Sequence, residues 1–194
     1  MSAIWYGDHV PGDGELRLCG DLSGKRVIEL GIAATANSLI AATEGAKAIA
    51  LDPSAEAIAV LRAAAERAEV RVECHQGELA DLGFATSGSV DLVVAAHTLD
   101  RVDDVPRLLR QVHRVLKPGA PFVVASTHPV ARMFADDGTL AQPYGANHSS
   151  FAELYLALDR TNFHLDAIHE LPDRRHRDAV YPAVLVLRAS KQGS

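Results

Sequence analysis

The stretch that decides the fold is VIELGIAATANS, residues 27–38. An apolar strand ends in an acid and a glycine, Glu29 and Gly31, and the chain then turns directly into a helix. In an open α/β sheet such a turn lies at the carboxyl ends of the strands, where nucleotide-like ligands bind. This turn has one glycine where such turns usually have three. Whether it can still hold a ligand must therefore be judged from the residues that follow the other strands at the same edge of the sheet.

Strands alternate with helices on either side of this turn. The pattern predicts strands over residues 25–31, 46–52, 70–75, 90–95 and 121–126. It predicts helices over residues 15–18, 38–44 and 55–68, a strongly periodic helix from Val105 to Leu116, and a helix that begins with a capping box at Ser150 and Glu153. This alternation implies βαβ crossovers and a parallel sheet. Residues 163–171 and 180–189 read as two strands with only a loop between them, so we expect an antiparallel pair at the C-terminal end.

Length and composition favour one domain over residues 1–194, with residues 1–24 as an N-terminal cap segment. Residues 129–148 have little pattern and are predicted to be a lid over a substrate, because long loops in compact domains are usually functional. The net charge of −6 argues against general binding to nucleic acid. We find neither a secretory signal nor an apolar run of about 18 residues, so a cytoplasmic protein is expected.

Polar residues follow each of the first four predicted strands, where a ligand crevice is expected. Asp52 ends the second strand about 20 residues after Gly31, where an acid can accept hydrogen bonds from ribose hydroxyls. Glu78 follows the third strand and His97 the fourth. Neither Cys19 nor Cys74 has a CxxC partner, and the histidines show no ligand spacing, so no metal site is predicted.

Five segments in order resemble the motifs of the class I S-adenosylmethionine-dependent methyltransferases. They are VIELG (27–31), ALDPS (50–54), QGELADLGF (76–84), SVDLVV (89–94) and LKPGA (116–120). The resemblance runs from about Leu22 to Pro129 and implies a three-layer, Rossmann-like α/β sandwich with a mostly parallel seven-stranded sheet. The pair Asn37-Ser38, the pair His128-Pro129 and the early Trp5-Tyr6-Gly7 are similar to small bacterial members of the family.

The resemblance also implies a cofactor, S-adenosylmethionine, and a set of cofactor-binding residues. Glu29 would lie under the cofactor, Asp52 would hold its ribose and Glu78 would bind its adenine amino group. The complete expected set is Glu29, Gly31, Ala33, Asn37, Asp52, Pro53, Glu78, Leu79 and Ala95. Glu29 has an alternative role as a buried acid that only orders the turn, and Glu78 one as a solvated loop acid.

The glycine-rich loop of the family is changed in this chain. Two positions that are glycine in the family are Ala33 and Thr35 here. If Ala33 had to adopt a left-handed conformation, the cost would be about 1–2 kcal/mol. If its φ is negative, only a methyl group is added in front of the cofactor. Thr35 is expected to cap the next helix with its hydroxyl.

Histidines and aromatic residues are the candidates for contact with a methyl acceptor. His97 and His128 end neighbouring strands and are the predicted general bases, although either one alone could be a structural histidine. His148 on the predicted lid, together with Trp5 and Tyr6, is predicted to contact the substrate. An aromatic face also favours a cation such as a sulfonium; plain packing is the alternative for Trp5 and Tyr6.

Three functions remain open from the sequence. The first is methyl transfer to a small-molecule acceptor. The second is a non-catalytic protein that uses the same fold to bind a ligand or partner, which the degenerate glycine loop favours. The third, a nicotinamide-dependent oxidoreductase, would need glycines at Ala33 and Ala36 and has a C-terminal antiparallel pair against it.

Overall fold

Seven strands form a sheet in the computed structural model, which describes residues 3–135, 137–146, 148–176 and 179–193. The strands are β1 (Arg26–Leu30), β2 (Lys47–Asp52), β3 (Val72–Gln76), β4 (Leu92–Ala96), β5 (Pro121–Thr127), β6 (Phe163–Leu171) and β7 (Val184–Lys191). Their order across the sheet is β3-β2-β1-β4-β5-β7-β6. β7 runs antiparallel to both β5 and β6, whereas the remaining pairs are parallel. The predicted mostly parallel sheet with an antiparallel C-terminal pair is therefore confirmed.

Helices cover both faces of the sheet. They are α1 (Asp13–Leu16), α2 (Asn37–Thr43), α3 (Ala55–Arg67), α4 (Val105–Val115) and α5 (Phe151–Arg160), with short 3-10 turns at Leu99–Arg101 and Ala131–Met133. The capping box at Ser150 and Glu153 is confirmed, and Ser54 caps α3 by accepting a hydrogen bond from the Ala57 amide at 3.1 Å. These caps satisfy backbone amides that have no partner within the helix.

The C-terminal strand pair and the cap of α2 differ from the sequence-based expectation. The last strand begins at Val184 and not at residue 180, because Val180 is 93% exposed and Pro182 has no amide to donate to a ladder. Thr35 does not cap α2; the N-cap residue is Ala36, without a side-chain hydrogen bond. The amides at this helix end bind instead to Glu29, a buried acid in the neighbouring strand.

Two apolar clusters form the core, one between each face of the sheet and the segments that cover it. One joins Ile28 and Leu30 of β1 to α4 and α5. The other joins Val27 to α2 and to the N-terminal residues Ile4 and Tyr6. The alternation of side chains along β1 thus supplies both cores, as expected for a strand that is covered on both faces. No helix within the described ranges is long and apolar enough to span a membrane.

Candidate functional site

The turn between β1 and α2 needs glycine at its first position. Gly31 has a φ of +69°, and a Cβ there would lie 2.8 Å from Oγ1 of Thr98 and 2.9 Å from its Cγ2. Ala33 is not among the residues with positive φ, so its methyl group costs no left-handed strain. It is half-buried and packs against the apolar cluster beside α2. The loss of the second family glycine therefore leaves the backbone of the turn intact.

Glu29 holds this turn from below. Its side chain is 1% exposed; Oε1 accepts hydrogen bonds from the amides of Ala33 (3.2 Å) and Asn37 (2.9 Å). Oε2 accepts from the amide of Ser38 (2.8 Å) and from its hydroxyl (2.6 Å). Burial raises the pKa of this carboxyl, and the four hydrogen bonds oppose that shift. Glu29 thus fixes the turn and the start of α2 with both of its oxygens.

Asn37 ties the N-terminal segment to the same turn. The amide of Trp5 donates to Asn37 Oδ1 at 2.7 Å, and Asn37 Nδ2 donates to the carbonyl of Trp5 at 3.0 Å. Tyr6 is fully buried, and its hydroxyl donates to Asp13 Oδ1 at 2.7 Å. Burial, with the nearby Cys19 and Asp13, raises the pKa of Tyr6. Asn37 and Tyr6 therefore anchor the segment; both are buried, whereas Trp5 is partly open to solvent.

Asp52 is the second buried acid of the crevice. It is 1% exposed at the end of β2; Oδ2 accepts from the amide of Ile32 and Oδ1 from the amide of Ser54, both at 2.8 Å. Nη2 of Arg101 lies 3.2 Å from Oδ2 and 3.5 Å from Oδ1. Because Ile32 directly follows Gly31, this acid and the turn form one rigid unit.

The other predicted cofactor residues lie around this unit in different settings. Glu78 is on the outer rim, with 78% of its side chain exposed and its Oε2 3.6 Å from Nη1 of Arg107. Pro53 is exposed beside Asp52, whereas Leu79 and Ala95 are buried in the core. The structure thus brings Glu29, Gly31, Ala33, Asn37 and Asp52 together and leaves Glu78 apart from them.

His97 has an unusual backbone and one free ring nitrogen. It directly follows β4 and has a φ of +55°, a conformation that few residues other than glycine adopt. Its Nε2 lies 2.9 Å from the carbonyl of Tyr6, which can only accept, so Nε2 carries the proton. Nδ1 has no hydrogen-bond partner in the part of the chain that the structure describes. The ring centroid is 5.6 Å from that of Trp5.

His128 is buried with both ring nitrogens bonded. Its Nδ1 accepts from the amide of Val130 at 3.1 Å, so Nε2 carries the proton and donates to Glu170 Oε1 at 2.9 Å. The lone pair that a general base needs is therefore already used. Of the two predicted bases, His97 has the available nitrogen.

His148 lies in the predicted lid, residues 129–148, of which the structure describes all but 136 and 147. Its Nε2 lies 3.2 Å from the carbonyl of Pro129, and its buried Nδ1 has no partner among the described residues. The segment is more ordered than its sequence suggests: Phe134 bridges to Leu140 and stacks on Tyr181. An ion pair between Arg132 and Asp100 ties it to the turn after β4.

Thr98 and Arg101 belong to the crevice but were not expected there. Thr98 Oγ1 donates to the carbonyl of Leu30 at 2.5 Å and fills the space in front of Gly31. Their signal in the sequence is position alone, since both follow a buried parallel strand. No group of three or more potential metal ligands occurs within the described ranges.

Comparison with known proteins shows which family this chain resembles. A family model described as a methyltransferase domain matches residues 28–124, half of the chain. The ubiquinone biosynthesis O-methyltransferase of Sodalis glossinidius is 32% identical over 122 residues, which cover 62% of this chain and 49% of that protein. The chain spans about half the length of the curated relatives it matches.

Solved structures share the fold over nearly the whole chain. An S-adenosylmethionine-dependent methyltransferase from Mesorhizobium loti has a TM-score of 0.74 at 22% identity, covering 92% of this chain and 96% of its own. A cyclase, SpnF, has a TM-score of 0.72 at 17% identity, covering 99% of this chain and 87% of its own. The matched family model, with this shared fold, identifies the chain as a member of the class I S-adenosylmethionine-dependent methyltransferases, with S-adenosylmethionine as its cofactor.

Proposed function

We propose that this protein transfers a methyl group from S-adenosylmethionine to a hydroxyl group of a small-molecule acceptor. The observation that carries the proposal is the buried carboxylate of Asp52, which is fixed by the turn at Gly31. When bound, the cofactor supplies an electrophilic methyl group on a sulfonium. The protein must then align the acceptor and remove its proton.

The residues of the crevice fit this cofactor. Asp52 would accept hydrogen bonds from the ribose hydroxyls, and the positive φ of Gly31 lets the chain turn sharply beside this acid. Ala33 adds only a methyl group, on an unstrained backbone. Glu29 and Asn37 would act as positioning residues, because their polar atoms already bond within the chain.

His97 is the proposed general base. A hydroxyl acceptor must lose its proton during transfer, and a neutral imidazole with a free lone pair can accept it near neutral pH. The hydrogen bond from Nε2 to Tyr6 fixes the tautomer in which Nδ1 holds that lone pair. The names of the curated relatives, ubiquinone biosynthesis O-methyltransferases, favour an oxygen acceptor.

A calorimetric titration with S-adenosylhomocysteine, with NADH as the control, tests the cofactor site. We expect micromolar binding of S-adenosylhomocysteine and none of NADH. Methyl transfer is then measured with a panel of small phenols and matched amines. Binding without turnover on any phenol would contradict the proposed acceptor chemistry, and an absence of binding would contradict the proposal as a whole.

Variants at three histidines test the base. His97→Asn retains a side chain that tolerates positive φ and removes the imidazole, so we expect turnover to fall by about 100-fold or more with little change in S-adenosylhomocysteine affinity. His128→Asn should change turnover much less, and the exposed His164→Ala is the control. Equal turnover in wild type and His97→Asn would remove His97 from the chemistry.

A ligand-binding protein without turnover is the second candidate. The observation in its favour is that Asp52 and Asn37 already have partners within the chain, including the guanidinium of Arg101. This candidate predicts S-adenosylhomocysteine binding and no loss of the methyl group from S-adenosylmethionine with any acceptor. It therefore differs from the first candidate in turnover and not in binding.

A further inference from the structure

The guanidinium of Arg101 lies beside both the acid and the glycine of the proposed cofactor site, Asp52 and Gly31. Nη2 contacts both carboxylate oxygens of Asp52, at 3.2 and 3.5 Å. Nη1 lies 3.2 Å from the point where a Cβ on Gly31 would stand. One side chain thus covers both the acid and the glycine of the crevice.

The carboxylate of Asp52 has few acceptor positions to spare. A carboxylate accepts about four hydrogen bonds. The amides of Ile32 and Ser54 use two of them and are fixed by the backbone. Arg101 uses the positions that remain, and a ribose diol would need the same positions.

The backbone of Arg101 is fixed, but its side chain is free to move away from Asp52. The turn Leu99–Arg101 is held by the bond from Thr98 to Leu30 and by the ion pair between Asp100 and Arg132. The side chain of Arg101 itself is 43% exposed, whereas that of Asp52 is 1% exposed. It can therefore leave Asp52 for water without disturbing the strand ends.

We propose that Arg101 competes with the ribose of the cofactor for Asp52 and thereby sets the affinity of this protein for S-adenosylmethionine. This inference rests on the proposed function, since it needs the cofactor to bind at Asp52. In the free protein the guanidinium donates to the buried carboxylate of Asp52. Without it this carboxylate would have only its two backbone donors, and a buried charge with too few hydrogen bonds destabilises the folded state. Binding of the cofactor exchanges these hydrogen bonds for those of the ribose, so the gain on binding is reduced by the strength of the Asp52–Arg101 pair.

Titration calorimetry with S-adenosylhomocysteine tests the competition. Arg101→Gln removes the charge, and we expect its Kd to be about three- to tenfold lower than that of the wild type, because a half-exposed ion pair is of modest strength. Arg101→Lys keeps the charge without the planar fork and should fall between the two. Arg110→Gln is the matched control, an exposed arginine of α4 with no ion pair among the described residues; its Kd should equal that of the wild type.

Salt dependence gives a second measurement that does not depend on the absolute affinity. Added salt weakens the Asp52–Arg101 pair, so the difference in Kd between wild type and Arg101→Gln should shrink as ionic strength rises. Chemical denaturation of each variant verifies that it is folded.

The outcomes separate this inference from the proposed function. Tighter binding by Arg101→Gln supports the competition, and binding by that variant alone supports it most strongly. Equal or weaker binding than the wild type overturns the competition while leaving the cofactor site intact. If neither wild type nor Arg101→Gln binds S-adenosylhomocysteine, the proposed function fails and the inference fails with it.

Discussion

Two buried acids at neighbouring strand ends, Glu29 and Asp52, meet the same problem in different ways. Each is 1% exposed and must find hydrogen-bond donors inside the protein. Glu29 finds all of its donors in the turn and in the first residues of α2. Asp52 finds two in the backbone and takes the rest from Arg101, a half-exposed side chain.

The difference separates an acid that is bonded only within its own turn from one that we propose to bind a ligand. Three of the donors to Glu29 are backbone amides and the fourth is the hydroxyl of the buried Ser38. None of them can leave without disrupting the turn, so Glu29 has no free acceptor position for a ligand. The donor from Arg101 lies on a side chain that is 43% exposed, so we propose that a ligand hydroxyl can take its place. A buried acid whose partners include a half-exposed side chain is therefore a better candidate for ligand binding than one whose donors all lie within a single buried turn.

Removal of Glu29 should have the largest effect on stability. Glu29→Ala leaves the buried amides of Asn37 and Ser38 and the half-buried amide of Ala33 without their acceptor, and each buried amide so left costs about 1–3 kcal/mol. We expect the free energy of unfolding to fall by about 3 kcal/mol or more in urea denaturation. Glu66→Ala, at an exposed position of α3, should leave it unchanged; a similar small loss in both variants would contradict the structural role of Glu29.

Asp52 should show the opposite profile, with a large effect on binding and a smaller one on stability. Asp52→Asn keeps one acceptor but loses the charge, so we expect S-adenosylhomocysteine affinity to fall by about 10- to 100-fold, the equivalent of a hydrogen bond to a charged group. The free energy of unfolding should fall by about 1–2 kcal/mol. Calorimetry and denaturation of the same samples measure both, with the exposed Asp159→Asn as the control. Unchanged affinity would show that Asp52 does not hold the ribose.

Asn37 allows the anchoring of the N-terminal segment to be tested separately from the acids. Asn37→Ala removes both hydrogen bonds to the backbone of Trp5. We expect a loss of about 1–2 kcal/mol and faster hydrogen exchange at the Trp5 amide. Thr43→Ala, at the other end of α2, should not affect that amide; an equal rate in wild type and Asn37→Ala would mean that the segment is held elsewhere.

The smallest expected effect is the contribution of Glu29 to the pH dependence of the free energy of unfolding. Its pKa in the folded protein is raised above the ordinary value of 4.5, so the folded state holds this proton more tightly than the unfolded state does. The stability from this group is complete below the ordinary value and is lost as pH rises through the folded pKa. The difference in unfolding free energy between wild type and Glu29→Gln should therefore shrink from pH 4.5 upward and then level off. A difference that grows with pH would mean that the pKa is lowered instead.

Much of the fold was predictable because it depends on local patterns. Short apolar runs and helical periodicity placed the strands and helices within a few residues, and the missing crossover helix before β7 predicted the antiparallel pair. The start of β7 at Val184 was not predicted, because the exposure of the residues before it depends on which other segments of the protein pack against them. The cap of α2 was missed because its acceptor, Glu29, comes from an adjacent strand and not from the helix sequence.

The candidate site was only partly predictable, since its residues come from several elements. Gly31 and Asp52 could be named because each ends a buried strand at the same sheet edge. The sequence ranked His97 and His128 equally, and only the three-dimensional partners of their ring nitrogens distinguish them. Arg101 carried no motif at all, and its importance comes from its position opposite Asp52.

The sequence by itself determined the sheet, the family and the edge of the sheet where we propose that the cofactor binds. These follow from periodicity and from strand ends, which are local properties of the chain. The tertiary structure decided which polar groups at that edge are already satisfied: Glu29 by the turn and the first residues of α2, His128 by Glu170, and Asp52 in part by Arg101. The physical reason is that a hydrogen bond or an ion pair depends on distances between elements far apart in the chain, and hydrophobic periodicity does not encode those distances.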